Sequence, residues 1–445
     1  MIGHYRLKKG QTGETLSSQT VSTELQQLAE QAAAHPAWVF TTLAHHMSVT
    51  WLREAYRRVR KSGAAGVDDV SAAEYARDLE TNLADLHARL KAGTYCAPPV
   101  RRVWLEKADG GRRPLGIPTF EDKIVQRAVA MLLNAIYEQD FYDFSYGFRP
   151  GRSAHDAVGA VRAACIRGNI QWIIDADISG CFDNIQHGPL QEIVKERVND
   201  GRIRQLIGKW LHAGVLEGER VSYPEAGTPQ GGVISPVLTN IYLHTVLDQW
   251  FVEEVQPRLK GRSFLVRYAD DFIIGCERED DARRIMAVLP QRCARYGLTI
   301  HPEKSRLIDY RPPGDGEKEH DRSFDFLGFT HYWGRSRWGK WVILRKTARK
   351  RQRRAIRRFW QACRKYRHRP LAEQARRLGQ QLRGHYQYYA VPGNGRTLHT
   401  LYYRVCCSWR YWLRRRGGKH RLTWEEFRQI LKRFPLPPPR ILHYI

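Results

Sequence analysis

Two short apolar stretches that carry carboxylates constrain this chain more than any other feature. The first is Trp172-Ile-Ile-Asp-Ala-Asp-Ile178, which reads as a strand rich in β-branched residues. Asp175 and Asp177 are two apart, so on a strand they share one face. A carboxylate at the end of an apolar strand is costly unless something positive meets it. The second stretch is Tyr268-Ala-Asp-Asp271, lying between strand signals at 263–268 and 271–276, where a tight hairpin is expected. Adjacent acids in such a turn repel unless a cation bridges them. Three carboxylates from two strands fit two-metal phosphoryl transfer, in which ions roughly 3.5–4 Å apart bind the attacking and leaving oxygens. The plain alternative is surface acids at strand ends. Either motif alone leaves it open, and the two in this order weigh against it.

Charge supplies the second constraint. Residues 341–445 hold 28 Lys and Arg against three acids, Glu373, Glu425 and Glu426, whereas the preceding 340 residues hold 45 bases and 43 acids. One end of a near-neutral protein is therefore intensely basic, and a polyanion such as nucleic acid is its natural partner. Sixteen aromatic residues interleaved with those bases favour that reading over a merely solvated surface. A length of 445 residues with 42% apolar content fits two or three globular domains. The eight cysteines include no Cys-x-x-Cys pair, so they read as reduced packing thiols rather than zinc ligands or disulfides. The N-terminal residues lack the apolar core of a secretory signal, and no run of 18 apolar residues could span a membrane. A cytoplasmic location, the bacterial cytosol or nucleoid, is expected.

Periodicity gives an α+β chain. The first 40 residues and 49–60 look helical, and Ser71 with Glu74 makes a capping box opening a helix to about Leu90. Strands at 100–106 and 113–117 flank a hairpin turn, Asp109-Gly110-Gly111. Helices are expected at 121–138 and 153–167, and a further strand at 171–178. Beyond Lys340 the pattern is helical three times, at 346–367, 370–390 and 397–415, with a fourth short helix capped by Thr423 and Glu426.

Ala226-Gly-Thr-Pro-Gln-Gly-Gly232 alone is a flexible loop whose glycines allow close backbone approach to a ligand. In company it says more. The ordered set Asp-x-x-x-x-Phe (177–182), Pro-Gln-Gly (229–231) and Tyr-Ala-Asp-Asp (268–271) resembles a reverse transcriptase palm. Arg113-Pro-Leu-Gly-Ile-Pro118, Tyr146-Gly-Phe-Arg-Pro-Gly-Arg-Ser-Ala154, Phe326-Leu-Gly-Phe329 and Leu382-Arg-Gly-His-Tyr-Gln-Tyr-Tyr389 resemble the group II intron reverse transcriptase–maturases, as does the closing Pro-Arg-Ile-Leu-His443. The resemblance covers nearly everything beyond residue 40.

It implies a right-hand polymerase. Residues 1–40 would be an N-terminal helical extension and 41–340 fingers and palm with an antiparallel sheet. Residues 341–415 would form an α-helical thumb and maturase domain, and 416–445 a short basic tail, a candidate DNA-binding segment. Asp177, Asp270 and Asp271, with the backbone carbonyl of Ile178, would bind two Mg2+ ions, for which Mn2+ can substitute. Asp175 receives no metal role. Phe182 would be the steric gate against a 2′-OH, with core packing as its alternative, and Gln230 would contact the incoming nucleotide. Lys107 and Arg113 would meet its triphosphate, where paired cations make physical sense. Lys304 is a candidate general acid for pyrophosphate. Arg149 and Arg152 would hold template backbone, and Arg349, Arg353, Arg354 and Arg357 would hold RNA. Tyr386, Tyr388 and Tyr389 read as core.

The implied activity is RNA-directed DNA synthesis, joined to assistance in splicing and retrohoming. The implied partners are the parent intron RNA, an RNA template with DNA primer, dNTPs and target DNA. Many such proteins end in a zinc-bearing His-Asn-His endonuclease. Here about 30 residues follow the third basic helix, without paired cysteines, so the form lacking that endonuclease is expected. An RNA-dependent RNA polymerase, a domesticated reverse transcriptase of defence or CRISPR systems, and a pure splicing factor are the rival readings.

Overall fold

The computed structural model describes residues 12–106, 111–218, 220–223, 226–227, 231–314, 322–417 and 422–444. Lys107 and Gln230 lie outside the described residues. The described residues form twelve strands: β1 (Val100–Glu106), β2 (Arg112–Ile117), β3 (Trp172–Ser179), β4 (Val215–Glu217), β5 (Arg220–Ser222), β6 (Ser263–Tyr268), β7 (Asp271–Cys276), β8 (Thr299–Ile300), β9 (Arg306–Asp309), β10 (Ser323–Phe326), β11 (Phe329–Arg335) and β12 (Trp341–Thr347). They form three sheets, ordered β2-β1-β4-β5, β10-β11-β12, and β6-β7-β3-β8 with β9 also paired to β3. β1 and β4 run parallel, so the first sheet departs from the wholly antiparallel expectation. The chain is α+β. No described helix is long and apolar enough to cross a membrane, and all eight cysteines are free thiols, six of them buried.

The chain divides into two compact units. The first comprises Met1–Gly151, Asp177–Arg258 and Ala287–His301, and the second Arg152–Ala176, Leu259–Met286 and Pro302–Ile445. The first is organised around the helix Phe120–Tyr137, whose residues Ile124, Val125, Ala128, Val129 and Leu132 are fully buried. Thr119 caps it by accepting the N–H of Asp122, and acids occupy its first turn, both of which suit a helix N-terminus. Trp51, from the helix Val49–Arg58, is wholly buried and satisfies its indole N–H on the carbonyl of Ala128 at 3.1 Å.

The second unit contains the β6–β7 hairpin, the β10–β12 sheet and the helices Arg349–Tyr366, Leu371–Tyr389 and Gly395–Leu413. The three helices share a core of Phe359, Leu378, Leu382, Tyr386, Leu398, Leu401 and Trp409. Each fully buried leucine contributes about 1.5–3 kcal/mol.

Two expectations need correction. The stretch from 341, expected to open a helical domain, begins as β12: Trp341-Val-Ile-Leu alternates on a half-buried face and pairs along its length with β11, so a boundary at 340/341 cuts a hairpin. The helix opened by Ser71 stops at Tyr75 and a second runs Leu79–Ala92, because Asp78 leaves the helical region and Asn82 instead satisfies the Tyr75 carbonyl at 3.0 Å. The final segment holds the expected short helix, Trp424–Arg433, with its Thr423–Glu426 capping box, and Phe427 and Leu436 join the three-helix core.

Candidate functional site

In the first unit, Asp177 stands near the end of β3. Its carbonyl accepts the N–H of His301 at 2.7 Å, and Ile178 pairs with Ile300 of β8. Gly180 (φ +54) then turns the chain into the helical turn Cys181–Asn184. Cys181 and Ile185 go into the core, while Phe182 is half-buried and meets Phe148 edge-on at 6.4 Å. Phe148 is itself 52% exposed. Phe182 is therefore not simply a core residue.

The glycine loop docks beside it. Gly227 donates to the carbonyl of Ile185 at 2.8 Å, and a Cβ there would lie 2.8 Å from the Asp183 carbonyl oxygen. Gly231 has φ +110, and its Cβ would lie 2.5 Å from the carbonyl oxygen of Gly116 in β2. No other residue type fits either place, so the loop's two described ends rest on the Phe182 turn and on the strand that carries Arg113. Arg113 itself is exposed.

The chain just after this loop is pinned by residues that sequence reasoning missed. Gln126 accepts the N–H groups of Val233 (2.6 Å) and Ile234 (3.3 Å), and its amide nitrogen donates to Asp122 at 2.9 Å. Asp122 also accepts from Tyr95 (2.6 Å) and Trp210 (2.7 Å). Burial pushes the Asp122 carboxyl up to about 6, against those three hydrogen bonds, which favour its ionised form. The available signal was an Asp and a Gln four apart, and so on one face of the helix, beside the apolar Val125 and Val129.

Arg149 does not serve as expected. It is 6% exposed, donates to the carbonyls of Tyr142 (2.7 Å) and Ser145 (2.8 Å), and pairs with Glu138 at 3.0 Å. All three of its nitrogens are occupied, so it staples its own loop and is not available to a template phosphate. Arg152, in the second unit, is half-buried just before the helix Ala154–Arg167.

In the second unit, Tyr268 pairs with Asp271, so Ala269 and Asp270 form the two-residue turn of the β6–β7 hairpin. Ala269 is left-handed (φ +57), and the fully buried Arg267 donates to its carbonyl at 3.1 Å. Asp270 and Asp271 are thus adjacent at the apex of a tight hairpin. Asp175 is ion-paired with Arg306 at 3.3 Å. Lys304 is exposed in the turn before β9.

The aromatic motif beside this hairpin is structural, in keeping with the core reading. Tyr386 is buried, and the hydroxyl of Tyr388 donates to the carbonyl of Leu327 at 2.8 Å, where Leu327 (φ +49) and Gly328 (φ +81) bend the chain. Burial pushes the Tyr388 hydroxyl up to about 12, with Tyr389, Tyr268 and Asp271 adding to it. His155 donates to the Tyr388 carbonyl at 2.8 Å and stacks on His443 at 4.1 Å. Asn394, not anticipated, is fully buried: it accepts the N–H of Thr347 (2.9 Å) and donates to the Tyr389 carbonyl (2.8 Å). Arg349, Arg353, Arg354 and Arg357 are exposed on the helix Arg349–Tyr366.

Asp177, Asp270 and Asp271 offer only oxygen donors, the chemistry that hard divalent cations select. Their donor type suits Mg2+ or Mn2+. Among the described residues, however, no three His, Cys, Asp or Glu side chains are gathered as a group that could hold a metal ion.

Comparison with known proteins agrees with the motifs. The family model for reverse transcriptase (RNA-dependent DNA polymerase) matches residues 105–331, about half the chain. Group II intron-encoded protein LtrA of Lactococcus lactis subsp. cremoris is 44% identical over 232 residues, spanning 50% of this chain and 38% of that protein. Protein YkfC of Escherichia coli (strain K12) is 36% identical over 288 residues, spanning 57% of this chain and 75% of that protein. Nuclear intron maturase 2, mitochondrial, of Arabidopsis thaliana is 26% identical over 231 residues, spanning 43% of this chain and 30% of that protein. The match to LtrA therefore takes in well under half of its length. The chain belongs to the reverse transcriptase (RNA-dependent DNA polymerase) family, on the branch that includes group II intron-encoded proteins.

Proposed function

We propose that this chain copies RNA into DNA and also holds the RNA of its parent group II intron, aiding splicing and retrohoming. The observation that carries the polymerase reading is the pair Asp270–Asp271, the last residue of a two-residue hairpin turn and the first of β7, in a chain of this family. Asp270, Asp271 and Asp177, with the Ile178 carbonyl, would hold two Mg2+ ions. When bound, such ions stabilise charge on the attacking and leaving oxygens.

The remaining roles fall to the chain's own groups. The primer 3′-hydroxyl gives its proton to solvent as its oxygen attacks the α-phosphorus of a dNTP, forming the new phosphodiester and breaking the bond to pyrophosphate. Phe182 walls the sugar, and its half-buried ring beside Phe148 supports that role. Gln230 contacts the nucleotide, Lys107 and Arg113 meet its triphosphate, and Lys304 protonates the leaving pyrophosphate. Arg349, Arg353, Arg354 and Arg357 hold RNA backbone, and target DNA is engaged during retrohoming.

The test is primer extension on poly(rA)/oligo(dT) with dTTP and Mg2+. Wild type should extend. Asp270→Asn should lose at least about a hundredfold in rate, since a bound ion supplies several kcal/mol of transition-state stabilisation. The variant's melting temperature, measured alongside, separates loss of the ligand group from loss of the fold. Near-normal extension by the variant rejects the assignment.

A further inference from the structure

An open groove of about 660 Å3 lies within the second unit, lined by residues of the helices Arg349–Tyr366 and Leu371–Tyr389. That volume is within the range of small-molecule-sized sites, roughly 300–1,000 Å3. Arg351, Arg354 and Arg358 line it from the first helix. They are spaced by three and four residues, so they share one helical face, and all three are exposed. No acidic residue is among those lining the groove. Arg377 also lines it, but its charge is met by Glu373 at 2.8 Å, and it lies over the Tyr366 ring at 4.7 Å. The groove therefore keeps three cations that its own walls do not neutralise.

Cations alone would suit any polyanion. Two further features narrow the ligand. Flat rings face the same space: Tyr366, Tyr389 and His385 all line the groove, and His385 stacks on Tyr389 at 4.6 Å. Burial lowers the His385 pKa to about 4, so at neutral pH its ring adds stacking surface and not charge. The Oε1 atom of Gln381, another lining residue, is buried with no hydrogen-bond partner. An unmet buried acceptor is unfavourable, and a small turn of the Gln381 side chain would bring it to a ligand donor in the groove. Guanidiniums for phosphate, rings for stacking and a lone amide oxygen for a donor edge match the three parts of a nucleotide. A base inside a duplex presents its rim, not its face, and would leave the rings unused.

We propose that this groove holds one unpaired nucleotide of an RNA strand. Its flanking phosphates lie on Arg351, Arg354 and Arg358, its base stacks against the Tyr389–His385 rings, and an exocyclic amine donates to Gln381 Oε1. The proposal rests on the reading that this chain handles RNA. It goes beyond that reading in assigning base-sensitive recognition to residues that the polymerase reaction does not use.

The experiment uses the full chain and fluorescence anisotropy with labelled C10 and U10 RNA, each single-stranded or annealed to its complement. Cytosine carries the exocyclic amine at the position where uracil carries an oxygen, with the same ring size. Two charge-matched variants are compared: Arg354→Gln/Arg358→Gln in the groove, and Arg353→Gln/Arg357→Gln on the same helix but not lining it. The groove pair should weaken single-strand binding at least tenfold more than the off-groove pair, and the two should affect duplex binding alike. Wild type should prefer C10 to U10, and Gln381→Leu should abolish that preference. Because Gln381→Leu changes no charge, it keeps the base-recognition arm decisive should an arginine pair fail to fold. Equal losses for the two pairs on single strands would reduce the groove to undirected positive charge, and equal wild-type affinity for C10 and U10 would remove the base from it. Primer extension on a pre-annealed template-primer runs in parallel. Lost extension with this binding pattern intact indicts the polymerase assignment, whereas lost discrimination with extension intact indicts the groove alone.

Discussion

Replacing Gln126 by Leu should loosen the glycine loop at 226–232 while leaving every proposed ligand group in place. Gln126 is 1% exposed and makes three hydrogen bonds: two from the N–H groups of Val233 and Ile234, and one to Asp122. Leucine fills similar space but leaves those two N–H groups without their partner. At about 1–3 kcal/mol for each buried group left unmet, offset by roughly 1 kcal/mol of gained apolar burial, the net loss should be about 1–5 kcal/mol. Asp122 loses a donor that favours its ionised form, so its carboxyl, already up at about 6, should rise further. A carboxyl held above its unfolded value favours folding at low pH, and that contribution is lost as pH rises through the folded pKa. The variant's deficit should therefore be larger at pH 8 than at pH 5. Urea unfolding at both pH values measures this. Val233 and Ile234 follow Gly231-Gly232 directly, so part of the loss should appear as a raised KM for dNTP, tenfold for each 1.4 kcal/mol of lost ordering. A deficit below about 0.5 kcal/mol with unchanged KM would show that this network does not hold the loop.

Phe182→Val should let ribonucleotides compete, since the aromatic wall is removed; single-nucleotide extension with dNTP against rNTP reads it, and an unchanged ratio returns Phe182 to packing. Burial and the neighbouring Arg345 bring the His331 pKa down to about 3, and neither ring nitrogen has a hydrogen-bond partner. A base depressed in this way stabilises fully above its unfolded pKa and loses that contribution as pH falls below it, by on the order of 3 kcal/mol at pH 4.5. His331→Phe, which can keep the stack on Phe324, should then resist acid better than wild type in urea melts at pH 4.5 and match it at pH 8. Replacing Arg349, Arg353 and Arg354 by Gln should weaken RNA binding and flatten its log–log salt slope by roughly 0.7–0.9 for each phosphate no longer neutralised; lower affinity at an unchanged slope would mean that they act through folding.

The sequence disclosed those parts of the fold whose signals are local. The β6–β7 hairpin was legible because two apolar runs flank a polar tight turn, and the capping boxes at Ser71 and Thr423 because their partners lie three residues away. What tertiary structure decides stayed hidden. β12 contains residues that tolerate helix, and only pairing with β11 makes them a strand. Arg149 sits in a motif and carries a charge, so it read as a ligand group. Only the folded loop shows Glu138 and two carbonyls claiming its donors. Asp122, Gln126 and Asn394 looked ordinary because their partners are distant in the chain: Val233 lies 107 residues from Gln126, and Thr347 lies 47 from Asn394. Likewise, Arg351 and Arg358 differ from their neighbours only in which side of their helix faces the second one.

We propose that one chain does two jobs with different residues: DNA synthesis through Asp177, Asp270 and Asp271, and intron binding mainly through the basic region after Lys340. The direct measurement incubates precursor RNA containing the intron that surrounds this reading frame with each protein at low Mg2+, and quantifies spliced exons and cDNA in parallel. The double variant Asp270→Asn/Asp271→Asn should lose cDNA and still promote splicing. A variant with the arginines from 349 to 358 neutralised should lose splicing, yet extend a short pre-annealed template-primer with weakened grip. If the aspartate variant, folded and binding RNA normally, loses splicing as completely as synthesis, the two jobs share one site and the division is wrong.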